Sequence, residues 1–154
     1  MRFYDWRKTL TQINGVPATN FAPGDDAFKA ERLQDLGTLE IGADGLGVFS
    51  LNPDKSGQVT VKFMQTSPTN GYLSKLCQAM DYLDTFIPVV VTHVDTYRQD
   101  KLVTLPGVIK KPADLLRGVK QNHPEWVFLF PSLFMDLGDP AFTGLPTAVA
   151  EALG

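Results

Sequence analysis

The side chains that could carry out chemistry are few and lie far apart along the chain. His93 follows an apolar stretch, with Asp95 two residues later. On a strand these two side chains share a face, so a carboxylate could orient the imidazole as a general base. No Gly-x-Ser-x-Gly nucleophile motif accompanies them. We interpret His93 as packed within a sheet or an interface, and keep as an alternative a small monomeric binding domain or enzyme that uses His93.

Two loops contain residues typical of ligand sites. Gly42–Gly47 is glycine-rich like a phosphate loop, but Val48–Leu51 continues as a strand instead of the helix that would bind the anion. Asn52–Gly57 matches the first half of a calcium-binding loop, yet Phe63 stands where the closing glutamate belongs. We therefore predict a hairpin turn and an Asx-type turn at these loops, and neither a metal nor a cofactor.

Charge and cysteine content limit the function classes. The 154 residues have a formal net charge of −3 and a pI near 5.3, and they form no dense basic stripe, which argues against a regulator that reads nucleic-acid sequence. The lone Cys77 lies on an apolar helical stripe and is predicted to be a packed thiol. No apolar run approaches the roughly 20 residues of a membrane span, and the N-terminus lacks the apolar core of a signal peptide. We expect no membrane partner and synthesis in the cytosol.

The patterning predicts a mostly β chain with one helix. In the segment Gln58–Met64, apolar and polar residues alternate as in a half-buried strand. Ser67 is an N-cap for a helix Pro68–Asp84 with Pro68 at its first position. The other predicted strands are Leu10–Ile13, Val16–Phe21, Ala27–Leu36, Gly37–Ile41, Val48–Leu51, Ile87–Tyr97, Lys101–Val108 and Glu125–Leu137.

Two predicted strands are apolar on both faces. Trp126, Phe128 and Phe130 alternate with Val127 and Leu129, and the run of three valines at 89–91 is similar. A strand with one solvated face should alternate with polar residues, so both faces require a cover. This favours self-association, since the single helix can cover only part of this surface. The alternative is a closed two-layer monomer with residues 142–153 folded over the core.

Several sequence blocks together resemble one known family. The blocks, in chain order, are Phe21–Phe28 with Glu31 and Arg32, Ile41–Gly45, Ser56–Val61 with Gln65–Asn70, Ile109–Asp114, and Glu125 with Trp126. In this order the chain resembles the tail-tube (major tail structural) protein family of contractile-tailed bacteriophages. The blocks extend over most of the chain, and residues 139–154 depart from the family pattern as a C-terminal extension.

The resemblance implies a mainly β fold, an antiparallel β-barrel or sandwich with one flanking α-helix, in a single domain over residues 1–138. It implies a non-enzymatic virion protein whose hexameric rings stack into a hollow tail tube, assembled in the host bacterial cytoplasm. Its partners would be further copies of itself, the tail sheath, and baseplate or terminator proteins. DNA would pass through the lumen to the host without specific binding. Related ring proteins, a tail terminator or the tube component of a secretion system, are the alternatives.

Within that resemblance we assign two groups of residues. The turn-rich segment Gly37–Gly57 is expected to project and contact the next ring, and the strands Ala27–Leu36 and Gln58–Met64 to build the inner wall, with the helix outside. The expected stacking residues are Gly42, Asp44, Gly45, Asn52, Asp54 and Gly57. The expected inner-wall residues are Lys29, Glu31, Arg32, Thr60 and Lys62.

Overall fold

Two antiparallel sheets and a separate hairpin make up the described part of the chain. The structure, a computed structural model, describes residues 4–96 and 99–137. One sheet has five strands in the order β11-β8-β7-β1-β2, the second has four in the order β3-β6-β10-β9, and β4 pairs only with β5. The strands are β1 Thr9–Ile13, β2 Val16–Pro17, β3 Phe28–Arg32, β4 Gly37–Ile41, β5 Gly47–Leu51, β6 Gly57–Lys62, β7 Val91–Asp95, β8 Lys101–Thr104, β9 Val108–Lys111, β10 Glu125–Phe130 and β11 Leu133–Asp136.

Large side chains from both sheets form one core. On the four-stranded sheet, Val59 and Val61 of β6 are fully buried beside Phe128 of β10. Ile13 and Val91 of the five-stranded sheet belong to the same apolar cluster. The mainly β fold with one helix is thus confirmed. Of the two predicted architectures the sandwich is the one observed, because no sheet in the described residues closes into a barrel.

The α-helix found among the described residues, α1, spans Pro68–Leu83 and begins as its sequence predicts. Ser67 is the N-cap, and its hydroxyl oxygen accepts a hydrogen bond from the Thr69 backbone N–H at 3.3 Å. Leu73 and Cys77 are buried in the shared core. Burial raises the pKa of the Cys77 thiol, with the Asp81 carboxylate as a smaller cause, so Cys77 is a packed thiol as predicted. No helix within the described ranges is long and apolar enough to cross a membrane.

Two of the long predicted strands are wrong, because the chain changes sheets within each. The predicted strand Glu125–Leu137 divides into β10 and β11, which lie in different sheets. Pro131, which lacks an N–H, and Ser132 separate them, and Ser132 forms a bridge with Lys55. Of the predicted strand Lys101–Val108, only Lys101–Thr104 forms β8, and Val108 begins β9 in the other sheet; between them the backbone of Gly107 pairs with Val89.

Other predicted strands are shorter in the structure. Only Phe28–Arg32 of the predicted Ala27–Leu36 is strand, and Val16–Phe21 shortens to Val16–Pro17 because Pro17 cannot donate to a ladder. The predicted C-terminal extension, which includes the residues 142–153 of the closed-monomer alternative, lies outside the described residues, as do Tyr97 and Arg98.

Candidate assembly surfaces

The β4–β5 hairpin is separate from both large sheets. Every residue of β5 is exposed, as is every residue of β4 except Gly37. The strands join at a tight turn, in which the Gly42 N–H donates to the Leu46 carbonyl at 2.7 Å and Asp44 Oδ1 accepts from the Leu46 N–H at 3.2 Å. Gly45 has a φ of +87°, which glycine adopts without strain. The glycine-rich loop is therefore a hairpin turn, as the sequence predicts.

The register of the hairpin makes it amphipathic. Leu39 pairs with Phe49, Ile41 with Gly47, and Gly37 with Leu51, so these residues share one face. Leu39, Ile41, Phe49 and Leu51 are each 53–71% exposed. The opposite face carries Thr38, Glu40, Ser50 and Val48. A two-stranded hairpin with four exposed apolar side chains on one face presents a surface suited to a partner.

The segment after the hairpin is a pair of Asx turns. Asn52 Oδ1 accepts from the Asp54 N–H at 3.0 Å, and Asp54 Oδ1 accepts from the Ser56 N–H at 2.9 Å. Hydrogen bonding to Ser56 lowers the pKa of Asp54. These carboxylate and amide oxygens hold the turn, and no group of metal-binding side chains occurs among the residues that the structure describes. The Asx-turn interpretation is therefore confirmed.

Gly57 lies away from the projecting hairpin. It is the first residue of β6 and is buried. A Cβ at this position would come within 2.5–3.0 Å of three carbons of the Leu133 side chain. The structure thus separates the six expected stacking residues: Gly42, Asp44 and Gly45 form the hairpin tip, Asn52 and Asp54 its base, and Gly57 the core.

Four of the five expected inner-wall residues share the outer face of the four-stranded sheet. Lys29 is opposite Thr60, and on the same face Lys62 is opposite Glu125. Glu31 follows Lys29 at the two-residue period, whereas Arg32 falls on the other side of β3. Gln58, Val127 and Leu129 also lie on this face, as do Lys111 and Val108 of β9, which pair with Val127 and Leu129.

Two lysines of this sheet face, Lys29 and Lys62, lie next to carboxylates. Lys62 Nζ is 2.9 Å from Asp26 Oδ2, and Lys29 Nζ is 3.7 Å from Glu31 Oε2. The hydrogen bond between Lys62 and Asp26 raises the pKa of the lysine and lowers that of the carboxyl. Each of these two lysines is therefore paired with a nearby carboxylate.

A comparison with protein families identifies the kind of protein that carries these surfaces. Residues 17–138 match the family described as Bacteriophage PhiTE tail tube protein. The chain belongs to this family. A comparison with curated proteins gives no match. The match confirms the resemblance, identifies a structural protein of the virion tail, and implies a non-enzymatic role.

In this tail tube protein the candidate general base is held in packing contacts. The Nδ1 atom of His93 is 2.6 Å from the hydroxyl of Thr11, which is 3% exposed. The ring stacks on Phe28 with centroids 4.5 Å apart, and Trp6 lies 6.1 Å away. Burial lowers the pKa of His93, while the charges of Asp95 and Asp100 oppose this effect. The imidazole is thus a neutral packing group within the sandwich.

Sequence reasoning missed the cleft in which His93 lies. A cavity of about 800 Å³ is lined by residues of β3, of the second half of β7 and of the start of β8. Its lining includes Trp6, Phe21, Phe28 and His93. Trp6 contacts Phe21 edge-on at 5.1 Å between centroids. The aromatic residues Trp6, Phe21 and Phe28 were the available signal, but only tertiary structure brings them to His93.

Proposed function

We propose that this tail tube protein forms hexameric rings that stack into the tube of a contractile tail, through which DNA passes to the host. The membership in the tail tube family supports the tube itself. The observation that carries the stacked assembly is the uncovered apolar face of the β4–β5 hairpin. The tube would assemble in the host cytoplasm, with the sheath around it and baseplate and terminator proteins at its ends.

The hairpin requires a partner on energetic grounds. An isolated two-stranded hairpin is at best marginally stable in water. Fully burying one large apolar side chain contributes about 1.5–3 kcal/mol before the costs of association. One face of the hairpin exposes four such side chains, Leu39, Ile41, Phe49 and Leu51. Contact with the next ring covers them, with Gly42, Asp44 and Gly45 shaping the tip and Asn52 and Asp54 the base.

The four-stranded sheet suits the inner wall. Its edge strands are β3 and β9, each paired on one side only within the described chain. Edge-to-edge pairing between neighbouring subunits would satisfy both edges and close the six sheets into a continuous wall. The face with Lys29, Glu31, Thr60 and Lys62 would then line the lumen, where the pairing of Lys29 with Glu31 and of Lys62 with Asp26 would weaken the attraction of these lysines for DNA and let it slide.

Paired variants on the two hairpin faces test this proposal. Phe49→Ser removes an apolar contact from the stacking face, whereas Val48→Ser makes a similar change on the opposite face. Negative-stain electron microscopy with light scattering should show tubes with a central hole for the unmodified protein and for Val48→Ser. Phe49→Ser should give rings with at least tenfold fewer tubes, the factor expected from losing about 1.4 kcal/mol per contact.

The outcomes separate the parts of the proposal. A monomer at every concentration of the unmodified protein would overturn ring and tube formation. Unmodified rings that never stack would indicate a terminator instead. Tubes of Phe49→Ser as abundant as those of Val48→Ser would exclude the apolar hairpin face from stacking.

A further inference from the structure

The hairpin and the aromatic cleft lie at opposite ends of the sandwich. The hairpin leaves β3 after Arg32, which pairs with Gly57 at the start of β6. The cleft includes Phe28, the first residue of β3, which pairs with Val61 near the end of β6. Asp95 and Lys101, at the turn between β7 and β8, also line the cleft. One end of each subunit therefore carries a projecting apolar hairpin and the other end an apolar recess.

We propose that this cleft is the receptor for the β4–β5 hairpin of a second copy of the chain in the adjacent ring. The inference rests on the proposed tube. It identifies the cleft as the surface of one ring that binds the hairpins of the next ring. A projection and a recess at opposite ends form a heterologous, head-to-tail contact, which repeats without closing and so generates an open tube.

The chemistry of the two surfaces matches. The cleft is lined mainly by apolar groups, among them Trp6, Phe21 and Phe28, and its volume of about 800 Å³ holds several side chains. The hairpin presents Leu39 and Phe49 as its paired central side chains. Docking removes two uncovered apolar surfaces at once.

The charges do not drive this contact. Residues 33–51 include three carboxylates and no lysine or arginine. The cleft lining contains Lys101 but also the carboxylates of Asp25, Asp95 and Asp100. The fit therefore rests on apolar contact, and Lys101 is the lining residue whose charge is opposite to that of the acidic hairpin.

A second occupant is available within the same chain. Leu137 lines the cleft and is the last residue that the structure describes, and residues 138–154 follow it in the sequence. That occupant would fill the cleft but leave the hairpin face uncovered. We therefore assign the cleft to the hairpin and use the C-terminal segment as the contrary outcome of the test.

Site-specific photo-crosslinking in assembled tubes tests the assignment. A benzoylphenylalanine at position 49, in full-length protein doped into an excess of unmodified chain, should cross-link between subunits to peptides containing Trp6 or Phe28. The same probe at position 48, on the opposite hairpin face, should give at least tenfold less of these products. A reciprocal probe at Ala27, in the cleft lining, should capture peptides from residues 37–51.

Each outcome decides a separate claim. Failure of the unmodified protein to form tubes, seen before any cross-linking, overturns the proposed function. Tubes in which position 49 cross-links elsewhere, for example to the exposed Phe134 face of the five-stranded sheet, overturn only the cleft assignment. Capture of residues 138–154 by the Ala27 probe, without hairpin peptides, assigns the cleft to the C-terminal segment and overturns our inference.

Discussion

At the scale of single residues, His93 shows how a reactive side chain becomes a structural one. Its ring lies against Phe28, and its Nδ1 atom contacts the buried Thr11 hydroxyl. Burial outweighs the attraction of Asp95 and Asp100, so the folded protein disfavours the imidazolium and the pKa of His93 is lowered. A group whose charged form is disfavoured by folding makes stability depend on pH.

We predict that the protein loses stability as the pH falls below about 6.5, the ordinary pKa of histidine that applies to the unfolded chain. Between this value and the lower pKa of the folded state, the unfolded chain binds the extra proton, so the free energy of unfolding decreases. The full contribution is present above about pH 6.5, and each unit of pKa depression corresponds to a loss of about 1.4 kcal/mol. Urea denaturation of His93→Asn across this range should show a flatter pH dependence.

His123 supplies the control for that measurement, because it is exposed in a loop. His123→Asn should keep the pH dependence of the unmodified protein, while carboxylates contribute equally to all three proteins. Identical slopes for His93→Asn and the unmodified protein would contradict the assignment to His93.

At the scale of elements, the sequence predicted the features that depend on neighbouring residues but not those that depend on contacts between distant segments. The hairpin turn at Gly42–Gly47 and the start of α1 at Ser67 and Pro68 form as predicted, because these features depend on neighbouring residues. The change of sheet at Pro131 depends on a partner such as Lys55, which is distant in sequence. The same holds for the cleft and for the buried position of Gly57, which no turn pattern could reveal.

Gly57 and Gly71 give a matched pair of glycine substitutions. A Cβ at Gly57 would come within 2.5–2.6 Å of Leu133 carbons, so Gly57→Ala forces β6 and β11 apart and should destabilise the fold by about 1–3 kcal/mol. Gly71 lies within α1 with nothing within 4 Å of its Cβ position. Gly71→Ala should therefore stabilise by about 0.5–1 kcal/mol, since alanine is the better helix former.

Urea denaturation of both variants measures these changes. If Gly57→Ala is stable but its rings do not stack, Gly57 contributes to stacking, as expected from the sequence. Destabilisation of Gly57→Ala with stacking retained in the folded fraction supports its place in the core.

At the scale of the whole molecule, the two sheets have different roles in the proposed tube. The four-stranded sheet offers two edges and a face on which Lys29 and Lys62 are paired with carboxylates, while α1 packs on the same core and exposes Tyr82, which is 85% accessible. If the sheet forms the wall and the helix lies outside, Thr60 and Tyr82 are on opposite surfaces of the tube. The accessibility of these two positions to a reagent in assembled tubes should therefore differ.

A cysteine at position 60 should become inaccessible to a large polyethylene-glycol maleimide when tubes form, because the reagent is excluded from a narrow lumen. A cysteine at position 82 should remain reactive, and both should react in unassembled protein. The native Cys77 is buried, so it contributes a low background that the unmodified protein measures. A small maleimide, which can enter the lumen, distinguishes an enclosed position 60 from one buried between subunits. Equal labelling of positions 60 and 82 in intact tubes would place the four-stranded sheet on the outside and reverse the proposed wall.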